Sequence, residues 1–267
     1  MRMLVATDLS EDGDAAIEAA RYLRARHGGS LVIAHVMPSS SRSEMLMTDV
    51  QESSAVAGVA MHARIDEALL ARLPEDVAES ERRIVEGSPG EQLIALAEET
   101  DCDVMVLGGR TPSEKRVFGS VAENILAHSP IPVWIARPHK KTQRIVVATD
   151  LTEPGFPSVR RGVDIAALLD ARITLVHVLP EGVAQIDPDA ARTLRQIRRD
   201  LPPTAECVVE HGEPSSVVVS VAERSNADLI VVASRGRTGL ARFVIGSVAS
   251  AIVRKASCSV LVVPLPK

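Results

Sequence analysis

Two stretches of this 267-residue chain carry residue types that hold an anion without any reactive side chain. From Ile230 to Val262, a run that reads as a buried strand, Ile230 to Ala233, opens into a loop rich in small and basic residues. The loop ends at Gly246-Ser247, where a helix begins, and a final aliphatic strand follows. Glycine in such a loop lets backbone N–H groups approach a ligand closely, and the helix start adds unpaired N–H groups and the positive end of its dipole. A serine hydroxyl placed there can donate to a phosphate oxygen. From Val104 to Ala136 a weaker version has Gly108-Gly109 after a strand and Gly119-Ser120 before a helix. Phosphate binding is the chemistry that both stretches suit. Arg110 and Arg235 stand in the loops, where they could neutralise a phosphate or be ordinary surface arginines.

Other chemistries find less support. The chain has no GxxxxGK[ST] and no GxGxxG after a strand, so the familiar nucleotide loops are absent. No nucleophile, base and orienting group recur together, and there is no HExxH, so neither a catalytic triad nor a metal site is expected. Cys102, Cys207 and Cys258 lack paired or metal-ligand spacing and read as small apolar filler. His35 and His177 sit inside apolar strands, which suits packed, hydrogen-bonded core residues better than bases. Asp8 and Asp150 each close a strand, where an aspartate either meets a ligand or fixes the turn into the next helix. A net charge of −5 argues against general nucleic-acid affinity, and Arg192, Arg195 and Arg199 read as a solvated helix face. The chain opens on a strand, without the features of an export signal, and no apolar run is long enough to span a bilayer. The expectation is a cytoplasmic protein.

The elements that must position these residues occur twice. Met3 to Asp8 matches Ile145 to Asp150, and His35-Val36 matches His177-Val178, both 142 positions apart. Gly87-Ser-Pro89 then matches Gly212-Glu-Pro214 at 125, and Gly119-Ser120 matches Gly246-Ser247 at 127. One long insertion in the first copy and a two-residue deletion in its glycine loop account for these shifts, so the chain is a duplication. The expected domains are 1–138 and 144–267, joined by a linker at 139–143.

In the first copy, strands are expected near 2–7, 31–36, 81–85, 103–108 and 131–136. The intervening helices are expected from Ser10 to His27, at 55–73 with Val59, Ile65, Leu69 and Leu73 as its apolar stripe, after Pro89, and at 119–129. The serine-rich insertion, Ser39 to Ser54, reads as a mobile loop. Strand and helix alternate in the same order in the second copy. Aromatics make up only 2% of the chain, so the core must be aliphatic, and runs such as Leu229 to Ala233 suit strands covered on both faces. The fold class is therefore α/β: two tandem doubly wound open parallel five-stranded sheets with helices on both faces. If first and fourth strands are neighbours, the aspartates and the glycine loops meet at one crevice outside the strands' carboxyl ends.

Ala233-x2-Gly236-x9-Gly246-Ser247 resembles the motif G-x2-G-x9-G-[S/T] that ATP-binding members of the universal stress protein family carry after the fourth strand. The resemblance covers nearly the whole chain, twice, and includes the first-strand aspartate, the His-Val ending strand 2 and the Gly-x-Pro turn. It implies an adenine nucleotide alpha hydrolase-like fold, packed as an intramolecular pseudo-dimer with Val133 to Ile135 and Val260 to Val262 at the contact. It implies ATP as ligand, with magnesium or manganese as the candidate accompanying ion.

By the same resemblance Asp8 and Asp150, with Thr7, Ala148 and Thr149 before them, would hold the adenine or ribose end, and Val36 and Val178 would contact adenine. Gly236, Gly246 and Ser247 would hold the phosphates, with Ser234, Arg235 and Val248 adjacent and Ala233 in place of the motif's first glycine. In the first copy Gly108, Gly109, Gly119 and Ser120 stand in these roles, but Gly108 and Gly109 are adjacent where two residues should separate them. Ser120-x-x-Glu123 also reads as a capping box that would occupy the serine hydroxyl. The function implied is a stress-response switch or stabiliser that binds adenine nucleotide, more securely in the second copy, with at most slow hydrolysis. An enzyme of the related adenine-nucleotide hydrolase or transferase type is a further reading. A nucleotide-free interaction scaffold of the same fold is the alternative, and a homodimer of the tandem chain and an unidentified protein are the candidate partners.

Overall fold

The computed structural model describes residues 1–37, 54–109, 119–138, 141–152, 156–183, 185–235 and 245–265, with backbone alone at 54–57. The chain forms two compact units, Met1–Gly108 and Gly109–Lys267.

The first unit runs β1 (Arg2–Ala6), α1 (Glu11–His27), β2 (Ser30–Met37), α2 (Ser54–Arg72), a 3-10 turn at Glu75–Val77, β3 (Glu81–Glu86), α3 (Pro89–Glu99) and β4 (Val104–Gly108). Its sheet has the order β3-β2-β1-β4 with every pair parallel. Successive residues Met3, Leu4 and Val5, and Val32, Ile33 and Ala34, are all fully buried. Side chains alternate across a strand, so burial of consecutive residues means that both faces of the sheet are covered. Asp103 fixes the amino end of this sheet: its Oδ2 accepts from the Arg2 N–H at 2.7 Å while its own N–H donates to the Arg2 carbonyl at 2.8 Å. Leu69 on α2 and Leu73 just after it are buried as expected, but Val59 is 72% exposed. At 3.6 residues per turn, a residue six places before Ile65 lies on another face. The insertion from Ser39 lies outside the described residues as far as position 53.

The second unit contains α4 (Ser120–His128), β5 (Val133–Ala136), β6 (Arg144–Thr149), α5 (Phe156–Leu169), β7 (Arg172–Leu179), α6 (Pro188–Asp200), β8 (Glu206–His211), α7 (Pro214–Arg224), β9 (Leu229–Ala233), α8 (Ser247–Lys255) and β10 (Ser259–Val263). Its order is β5-β10-β9-β6-β7-β8, parallel throughout except that β5 and β10 run antiparallel. The last strands of the two repeats thus pair, Ile135 opposite Val260, Trp134 opposite Leu261 and Val133 opposite Val262. Each aliphatic strand covers the other's edge. β5 begins two residues later than the sequence pattern suggests, because Pro132 has no N–H to give a ladder. Asp228 repeats the role of Asp103, its Oδ2 accepting from the Gln143 and Arg144 N–H groups at 2.7 and 3.0 Å.

In both units the first strand of the repeat lies between its second and fourth strands: β1 between β2 and β4, β6 between β7 and β9. The order of connection reverses there, so a crevice opens at the carboxyl ends of β1 and β4, and again at those of β6 and β9.

Candidate functional site

The crevice of the second repeat is built first from the turn that leaves β6. Thr149 Oγ1 accepts from the Leu151 N–H at 3.1 Å, and Asp150 Oδ1 accepts from the Thr152 N–H at 3.0 Å and hydroxyl at 2.7 Å. These bonds hold Leu151 at φ 59°, a left-handed conformation that a branched side chain enters only when its surroundings impose it. His177, buried in β7, lies within hydrogen-bond distance of the Thr149 carbonyl through Nδ1, at 2.9 Å. A carbonyl can only accept, so Nδ1 carries the proton and His177 acts as a strut between β6 and β7.

This turn leaves one atom over. Asp150 Oδ2 is buried and has no hydrogen-bond partner among the described residues, whereas Oδ1 has two. Burying a carboxylate oxygen without a donor costs about 1–3 kcal/mol or more, so an arrangement of this kind is suited to a ligand that brings a donor. Val178, half-buried, is the penultimate residue of β7, one place beyond the partner of Thr149, and Ala148 and Thr149 before the turn are buried.

The other wall comes from β9 and α8. The β6–β9 register pairs Val147 with Val231 and, carried toward the carboxyl ends, sets Thr149 level with Ala233. Ser234 is buried and donates its N–H to the Val263 carbonyl at 2.7 Å, which ties the start of the loop to β10. The loop closes where the Gly246 N–H donates to the Ser234 carbonyl at 2.8 Å. A side chain at Gly246 would bring a Cβ to 3.2 Å from that carbonyl oxygen and 3.3 Å from Arg235 Cα. Gly246 is the N-cap of α8, and its carbonyl takes the Ser250 N–H. The N–H groups of Ser247, Val248 and Ala249 therefore have no partner within the helix. Ser247 is exposed there, Val248 is half-buried, and Arg235 lies half-buried beside Ser234. Gly236 lies outside the described residues.

The first repeat has the same turn, with differences. Thr7 Oγ1 accepts from the Leu9 N–H at 3.1 Å, Leu9 has φ 64°, and Asp8 Oδ1 accepts from both the N–H and the hydroxyl of Ser10. His35 Nδ1 meets the Thr7 carbonyl at 2.9 Å, and Val36 is buried at the end of β2. Asp8, however, is exposed, where Asp150 is half-buried.

The Gly109 N–H donates to the Ala136 carbonyl at 2.7 Å, the bond that Ser234 makes in the second repeat. Gly109 is thus the counterpart of Ser234 and Gly108 that of Ala233, and the two missing residues fall after Gly109. Gly108 is required by packing: a Cβ there would run into the Asp12 carbonyl of α1. The capping box expected at Ser120 does not form. Gly119 takes the N-cap position, with no side-chain bond, so Ser120 is the first helical residue and exposed, and Glu123 reaches Arg254 instead, at 3.7 Å. Among the described residues, Gly119 has nothing within 4 Å of where a Cβ would stand.

The left-handed leucines, and Ser10 and Thr152 that donate to Asp8 and Asp150, are the part of the site that the glycine motif does not contain. Their signal is the repeated Thr-Asp-Leu-[Ser/Thr] at 7–10 and 149–152. Burial pushes all three cysteine thiols up, Cys258 to about 11, so none is a ready nucleophile. Among the described residues no group of three or more His, Cys, Asp or Glu could hold a metal ion, and no helix is long and apolar enough to cross a membrane.

A model of the universal stress protein family matches residues 1–137 and again 141–264. A universal stress protein of Methanocaldococcus jannaschii is 27% identical over 142 residues, 47% of this chain and 84% of that protein. A putative universal stress protein of Staphylococcus aureus is 29% identical over 138 residues, 45% of this chain and 83% of that protein. Among solved structures, a universal stress protein from Archaeoglobus fulgidus superposes with a TM-score of 0.71 at 19% identity, covering 98% of both chains.

Proposed function

The chain belongs to the universal stress protein family, and on that premise we propose that it binds ATP or a related adenine nucleotide as a cytoplasmic stress-response switch or stabiliser, most securely in the second repeat. The observation that carries this reading is the buried Oδ2 of Asp150, unpartnered among the described residues, at a crevice whose opposite wall is the amino end of α8. A ribose hydroxyl would supply the donor that Oδ2 lacks. A phosphate chain would meet the free N–H groups and hydroxyl at Ser247, the amino end of the helix dipole, and the guanidinium of Arg235. Ala148, Thr149 and Val178 offer an apolar rest for adenine.

The first repeat is the weaker binder on this account, because Asp8 already stands in water and gains less from a ligand. No base is placed to orient water against a phosphate among the described residues. His177 has its Nδ1 proton committed to the Thr149 carbonyl, and the reading is binding with at most slow hydrolysis. A magnesium or manganese ion would be held by the phosphates, since the described residues offer it no cluster of ligands.

Titration with ATP tests this. The wild type is expected to bind, and Asp150→Ala to weaken binding about tenfold or more through loss of the ribose bond. Absence of ATP binding at millimolar concentration would move the function to the nucleotide-free scaffold, acting through its surface.

A further inference from the structure

α8 has nine residues, too short to hold its own geometry in isolation, and its last carbonyls have no partner inside the helix. Both of its ends are nonetheless tied. At the amino end Gly246 is bound to Ser234. At the carboxyl end the side chain of Arg137, only 4% exposed, donates from Nη2 to the Val253 carbonyl at 2.7 Å and from Nη1 to the Cys258 carbonyl at 3.2 Å. The Arg137 backbone N–H is held in turn by Ser259 Oγ at 3.1 Å. Arg137 follows β5 and so belongs to the first repeat, while the helix it clamps belongs to the second. The residue 127 positions further on is Pro264, which has no donor to make the reciprocal clamp on α4.

We propose that Arg137 is a positioning residue for the phosphate end of the second site: its buried guanidinium fixes α8 by the carboxyl end so that the N–H groups of Ser247 and Val248 stay aimed into the crevice. The proposal rests on the nucleotide reading above. A cation at the carboxyl end complements the helix dipole, and the fork geometry of arginine fixes direction as well as charge. The base and ribose end depends on β6 and β7, which Arg137 does not touch through these bonds. The effect is therefore expected on phosphate recognition alone.

The experiment titrates the full chain with ATP and with adenosine in the wild type, Arg137→Met and Arg137→Lys. Arg137→Met is expected to weaken ATP about tenfold with adenosine affinity unchanged, and Arg137→Lys to recover part of the loss by donating to one carbonyl. Equal losses for ATP and adenosine would mean a general structural role and overturn the proposal, as would an ATP affinity unchanged in Arg137→Met. Should Arg137→Met not fold, the lysine variant carries the same test: a few-fold loss for ATP alone supports the proposal, and no loss or an equal loss overturns it. A wild type that binds no ATP removes the nucleotide reading and this inference together, whereas a wild type that binds while the variants behave like it removes the inference alone.

Discussion

Asp150 keeps one carboxylate oxygen in the turn and one in reserve, and the two have separable consequences. Replacing it by asparagine keeps the shape and leaves an amide in place of the uncompensated charge. Asp150→Asn is expected to leave folding stability unchanged or raise it by about 1 kcal/mol while weakening ATP, a function-for-stability exchange read by chemical denaturation beside titration. A fall in stability of several kcal/mol would mean that Oδ2 has a structural partner. The sequence makes much of this residue scale legible, because Thr-Asp recurs at strand ends, and the histidines behave as the struts their apolar surroundings suggest. It does not reveal which oxygen is free, nor that Leu9 and Leu151 are left-handed, since both follow from turn hydrogen bonds between neighbours rather than from residue type. The N-cap at Gly119 is likewise decided by the backbone's entry into α4, against the serine one place later.

At the scale of elements, the helices are aimed by their ends. α7 starts after a Gly-x-Pro turn in which Gly212, at φ 135°, donates its N–H to the Leu179 carbonyl, and Gly87 does the same toward Met37 at φ 141°. Glu213 then caps α7, accepting from the N–H groups of Ser215 and Ser216 at 3.0 and 2.8 Å, while Lys255 at the end of α8 donates to both serine hydroxyls at 3.0 Å. The hydrogen bonds from these serines pull the Glu213 carboxyl down from 4.5 to about 2. A depressed folded pKa means that this stabilisation is complete above about 4.5 and disappears as pH falls toward 2. Glu213→Gln should therefore cost stability at pH 7, by about 1 kcal/mol given its exposure to solvent, and should flatten stability between pH 4.5 and 2. Equal pH profiles for the two proteins in thermal unfolding would remove the cap from the account. The parallel α/β class is legible from alternation and the duplicated register, whereas the neighbouring of first and fourth strands, only a condition in the sequence, is given by the β1–β4 and β6–β9 pairings. The clamp on α8 was not, because Arg137 and Val253 are 116 residues apart and an arginine beside a linker gives no sign of burial.

For the whole molecule, compactness and repetition divide the chain at different places. The compact units meet at 108 and 109, but the family model breaks between 137 and 141, and β5 of the first repeat pairs with β10 of the second. A fragment starting at residue 139 would leave Val260, Leu261 and Val262 without that antiparallel neighbour, and is expected to self-associate through β10 in sedimentation, where a monodisperse monomer would contradict the pairing's importance. Adenine nucleotide is expected above all at the second site. The most direct test is the nucleotide released on denaturing the purified full chain, followed by ATP titration of the wild type, Gly246→Val and Gly119→Val. Gly246 has backbone atoms at 3.2 and 3.3 Å from a would-be Cβ, and Gly119 has no atom of the described residues within 4 Å. The expected result is retained or titratable ATP that Gly246→Val abolishes and Gly119→Val leaves largely in place. Binding that survives Gly246→Val, or no adenine nucleotide at all, would contradict the account.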